Sequence, residues 1–147
     1  MKKLVSIIVI SLGILTAAAY GQNAERRRVA NAVGDGFAAD LRPLDRKGLQ
    51  HGGFSVLYQY WITDIDQKEY ESRRFGSFTA FENWLRKNTR KEDNTPFRVA
   101  GNVKNCTATN CTIETGNMRH NHLFLKRVWF AYRRGKPIVR KIHLIYG

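Results

Sequence analysis

The 147-residue chain carries 25 Lys and Arg against 12 Asp and Glu, a formal net charge of +13. Two cysteines exclude a disulfide-dense miniature scaffold, and the absence of any repeat of 20–50 residues excludes a solenoid. The length suits one domain with one core, and the charge favours anionic partners.

Lys2 and Lys3 form a positive leader to an apolar run, Leu4 to Ala19, and small residues follow. Ala19 and Gly21 stand at the small-residue positions ahead of Gln22, so residues 1–21 read as a cleaved secretory signal. A cut after Ala19 is the alternative. The run is shorter than the roughly 20 apolar residues of a spanning helix, so no integral membrane association is expected after cleavage. Residues 22–147 then form a single secreted or periplasmic α+β domain. Its charge is uneven. Residues 22–93 nearly balance, with 13 basic and 11 acidic side chains, whereas 94–147 hold 10 basic residues against Glu114 alone.

Val29, Val33, Phe37 and Leu41 recur at every fourth residue and predict a helix in the region 25–49, either one helix or one bent at Gly34-Asp35-Gly36. Phe54 to Thr63 alternates strictly and predicts a strand with Phe54, Val56, Tyr58, Tyr60 and Ile62 on the core face. Lys68 to Phe75, rich in mixed charges, is the returning strand at an edge. A second helix follows Gly76, with Thr79 and Glu82 at capping-box spacing and Ser77 as the alternative cap. Phe97–Cys106 and Cys111–Gly116 predict two strands around a short turn. Cys106 and Cys111 would staple them in an oxidising compartment, which stabilises by about 2 kcal/mol.

The last thirty residues, Met118 to Gly147, predict a long hairpin turning at Arg134-Gly135. Counting back from that turn pairs Arg133 with Lys136 and Phe130 with Val139. A regular register then sets Trp129 opposite Arg140 and Lys126 opposite His143, and makes both faces apolar at their ends and basic in the middle. A bulge near Lys126-Arg127 would shift this assignment. Lys126, Arg127, Trp129, Arg140 and Lys141 are the candidate binding residues. The cations would draw an anionic macromolecule or acidic protein, and Trp129 supplies a flat anchor.

The segment Gly36 to Leu49 ahead of the sheet, Phe78 to Lys87 after the first strand pair and the terminal strands resemble the cystatin-like and NTF2-like α+β group. The resemblance implies a curved, mostly antiparallel sheet of about six strands against one long N-terminal helix and a second helix. In that group the helices usually precede most of the sheet, whereas here one helix splits it. The group spans enzymes and binding modules, so no site residue is carried over.

The function expected is that of an exported, non-catalytic binding or inhibitor module for a protein, polysaccharide, lipid headgroup or nucleic acid. The catalytic alternative is a basic phosphodiesterase or ribonuclease-like enzyme using His120 and His122, with His143 as a third candidate. A third reading is a structural domain whose charge serves solubility. No Gly-rich phosphate loop, nucleophile elbow or HExxH occurs, and neither a cofactor nor a metal is expected.

Overall fold

The computed structural model describes residues 2–62, 64–89, 97–116 and 121–147, with backbone alone for 2–18. It is an α+β fold: α1 (Lys2–Ala38), a 3-10 turn (Arg42–Lys47), β1 (Phe54–Ile62), β2 (Gln67–Phe75), α2 (Phe78–Asn88), β3 (Arg98–Val99), β4 (Asn102–Cys106), β5 (Asn110–Glu114), β6 (Leu123–Arg133) and β7 (Lys136–Tyr146). Among the described residues, no helix is long and apolar enough to cross a membrane.

The sheet has seven strands in the order β2-β1-β7-β6-β5-β4, with the short β3 beside the start of β6. Ladders are antiparallel except β1 with β7 and β3 with β6. The terminal hairpin therefore occupies the middle of the sheet, where the near-continuous apolar content of β6 and β7 is best buried. Its turn follows from local chemistry: Arg134 (φ 51°) and Gly135 (φ 75°) both adopt the left-handed conformation that a two-residue hairpin loop requires.

Both helices cover one face. The four-residue period of α1 buries Val29, Val33 and Phe37 against that face, and Leu41 joins them from the chain just beyond. The helix runs unbroken through Gly34 and Gly36. A methyl group at Gly36 would come within 3.0 Å of Leu44 Cδ1, so this glycine lets the 3-10 turn fold back onto α1. Phe54 of β1 packs its ring 4.8 Å from that of Phe78 and 5.7 Å from that of Phe81, docking α2 onto the sheet. The core faces of β6 and β7 supply Leu123, Leu125, Val128, Phe130, Val139, Ile142 and Leu144, all buried.

Two local expectations are corrected. Ser77, not Thr79, caps α2, with its hydroxyl accepting from the Ala80 N–H at 3.0 Å. Asp45 of the 3-10 turn takes the N–H groups of Phe78 and Thr79 and the Thr79 hydroxyl. Glu82 is thereby released from capping and turns inward. Fully buried, it accepts two bonds from Arg98, one from Arg86 and one from the Leu41 N–H. Burial pushes its carboxyl up, but these donors outweigh that and hold it below the ordinary value. The predicted strand 97–106 is in fact two, β3 and β4, interrupted at Ala100-Gly101. The disulfide between Cys106 and Cys111 is formed as expected and joins facing residues of β4 and β5.

Candidate functional site

Phe130 faces Val139 and Arg133 faces Lys136, as the turn dictates, but the hairpin contains two bulges. Between Trp129 and Phe130 the register steps so that Arg140 is the extra residue on β7. Between Leu125 and Arg127 it steps back, leaving Lys126 as the extra residue on β6. The two shifts cancel, so the ends of the hairpin keep the regular pairing while its middle is displaced by one.

This displacement decides the chemistry of both faces. Each bulge inserts a second residue between consecutive core-facing side chains, Leu125 and Val128 on β6, Val139 and Ile142 on β7. Both members of Lys126-Arg127 and of Arg140-Lys141 are therefore turned from the core. The expected mixture of apolar and basic residues on each face is overturned: one face is continuously apolar, and the other collects the cations. Phe124 is buried on this second face, opposite Ile145. No described helix lies on this face.

The displaced middle brings Arg127 opposite His143 and Trp129 opposite Lys141. The Lys141 ammonium lies 4.9 Å from the Trp129 ring centroid and the Arg127 guanidinium 5.4 Å, so the ring is shared by two cations. The expected opposition of Trp129 to Arg140, and of Lys126 to His143, is replaced because each of those cations is its strand's bulge residue. Lys126 and Arg140 are exposed beside the cluster. Among the described residues, no ion pair involves any of the four cations. The Arg127 Nε is buried without a hydrogen-bond acceptor among the described residues, at an expected cost of about 1–3 kcal/mol.

His143 closes the cluster, its ring 6.3 Å from that of Trp129. Its Nε2 is 3.1 Å from the Gln59 Oε1 on the neighbouring strand β1. Burial, then the fields of Arg127, Lys141 and Lys126, lower its pKa below the usual histidine value and favour the neutral imidazole near pH 7. At the rim, Glu114 pairs with Lys104 at 2.9 Å. That hydrogen bond, assisted by Lys104 and Lys126 as nearby charges, keeps Glu114 ionised to lower pH than an ordinary glutamate.

Of the predicted binding residues, Arg127, Trp129 and Lys141 form the centre, and Lys126 and Arg140 flank it. His120 lies outside the described residues. His122 sits against Phe124, ring centroids 6.3 Å apart, before the start of β6. Arg127, which faces His143, is five residues further along, roughly 15 Å of strand, so His122 and His143 do not form a common acid–base pair. No group of three His, Cys, Asp or Glu among the described residues is placed to hold a metal.

Sequence reasoning missed Ser55, Asn110 and Thr112, which the register brings beside the cluster, and Gln59, which faces Ile145 and reaches back to His143. The alternation of β1 already turns Ser55 and Gln59 from the core, but their neighbour is set by the parallel β1–β7 pairing, which leaves no local signature.

Compared with protein-family models, curated proteins and solved structures, the chain matches none.

Proposed function

We propose that the chain is an exported, non-catalytic binding or inhibitor module whose open sheet face engages an anionic partner. The observation that carries this reading is the group of Lys126, Arg127, Arg140 and Lys141 around Trp129, none of which forms an ion pair among the described residues. Cations that serve only solubility spread apart into water, whereas two bulges gather these four into one place. The leader-like residues 1–21 and the Cys106–Cys111 bridge are in keeping with an extracytoplasmic destination. The resemblance to the cystatin-like and NTF2-like group adds an architecture that accommodates binding modules, and no site residue.

Retention on immobilised heparin under a salt gradient tests the reading. The parent should elute at higher salt than a Lys126/Arg127/Arg140/Lys141→Ala variant. A second variant, Arg46/Lys47/Arg133/Arg134→Ala, removes four exposed cations elsewhere and should elute later than the first. Equal elution of the two variants would show that total charge alone is being read.

A further inference from the structure

The ladders align side chains across the open face as well as along it. From β2 to β5, one row reads Arg74, Ser55, Lys141, Trp129, Asn110. The next row sets Leu57, His143, Arg127 and Thr112 side by side. Each step is one strand spacing of about 4.8 Å, so the first row extends for roughly 20 Å at right angles to the strands.

Four features narrow the class of anionic ligand that such a surface suits. Four of the five strands beneath the row, β1, β7, β6 and β5, are paired on both sides and only β2 is an edge, so an acidic peptide over the Trp129 cluster gains no main-chain hydrogen bonds and is left with side chains alone. Trp129 is the single aromatic ring in the row, whereas a nucleic-acid strand is held by successive rings under successive bases. Beside the apolar Leu57, the uncharged members Ser55, Asn110 and Thr112 are neutral donors and acceptors, the partners that sugar hydroxyls require. The planar fork of Arg127 matches a carboxylate or a sulfate, and its Nε lacks an acceptor among the described residues.

On the premise that the open face is an anion-binding surface, we propose that its ligand is an acidic polysaccharide laid across the strands. One sugar ring covers Trp129, and its carboxylate or sulfate lies between Arg127 and Lys141. Lys141, on a flexible stem, leaves the indole face as the sugar arrives.

Calorimetric titration with four oligomers of matched charge tests this: a uronate oligosaccharide, a sulfated oligosaccharide, oligothymidylate and oligoglutamate. At least one glycan should bind about tenfold tighter than oligothymidylate and oligoglutamate, and the better of the two identifies carboxylate or sulfate as the anion. Trp129→Leu should weaken that glycan about tenfold and change oligoglutamate by less than about twofold. Asn110→Ala, which leaves the core untouched, should weaken the glycan several-fold and provides the same readout if Trp129→Leu folds poorly. Glycans that bind no tighter than oligoglutamate, or variants that weaken all four oligomers alike, would overturn the polysaccharide assignment while leaving anion binding intact. Tightest binding of oligothymidylate would replace it with a nucleic acid. Failure of all four to bind would remove the premise as well.

Discussion

The two faces of this sheet handle arginine in opposite ways. On the helix-covered face, Arg98 and Arg86 converge on the buried Glu82, 2.8 and 2.7 Å from its carboxylate. On the open face, Arg127 and Lys141 pair with no carboxylate among the described residues and share an indole ring. A carboxylate with several donors is a closed structural unit that ties α2 to the chain at Leu41 and to β3. A group of like charges with one unmatched donor gains nothing for folding. The contrast separates charge that holds the fold from charge available to a ligand.

The sharpest break of that contrast is Glu82→Ala. It leaves Arg98 buried opposite no anion and should cost about 3–5 kcal/mol in urea denaturation, while the folded fraction keeps its elution from heparin. Next, Leu125→Ala removes a fully buried side chain from the apolar face and should cost about 2–5 kcal/mol by the same measurement. Arg127→Ala, two residues along but on the other face, removes the unmatched Nε together with the ring contact, so it should leave stability unchanged or raise it by up to about 2 kcal/mol, and should lower the eluting salt. If Arg127→Ala destabilises as much as Leu125→Ala, the open face is structural and the separation fails.

A smaller effect is expected from deleting the bulge residues. Removing Lys126 or Arg140 straightens its strand and preserves every facing pair of the hairpin, because both are extra to the ladder. Each deletion should fold, with a stability change of about 1 kcal/mol or less. The double deletion should lose retention beyond what the charge-removing substitutions at these two positions alone produce, should the bulges also orient Arg127 and Lys141. Unfolding of either single deletion would mean that the bulges bend the sheet for its own packing.

These bulges mark the boundary of what was legible in the residues. The turn at Arg134-Gly135 and the pairs nearest it follow from turn chemistry, and alternation gives the core face of β1 at Phe54, Val56 and Tyr58, whereas Tyr60 and Ile62 extend past the core. The basic residues that matter were visible as a cluster in the chain. That a bulge near Lys126-Arg127 would shift their faces was readable, but its occurrence and the second bulge at Arg140 were not, because an extra residue in a strand has no local composition cue. A strand of period two read through Lys126 and Arg140 assigns every residue between them to the wrong side. The same limit applies at Glu82, which stands at capping-box spacing from Thr79 yet is drawn inward by Arg98, sixteen residues away. The parallel pairing that gives His143 its Gln59 partner joins strands some eighty residues apart.

The smallest effect concerns that histidine. Burial first, then Arg127, Lys141 and Lys126, lower the His143 pKa in the folded chain, whereas the unfolded chain titrates near the ordinary value of about 6.5. The unfolded state therefore binds more protons as the pH falls through that value, and stability is lost progressively until the folded-state pKa is passed. A bound polyanion opposes the three cations and raises the His143 pKa, so the complex takes up a fraction of one proton and affinity increases as the pH is lowered through the same window. Titrations in two buffers of different ionisation enthalpy measure that uptake, and His143→Gln should abolish it. Affinity that weakens on acidification would place the ligand away from His143, and so away from the displaced middle of the hairpin.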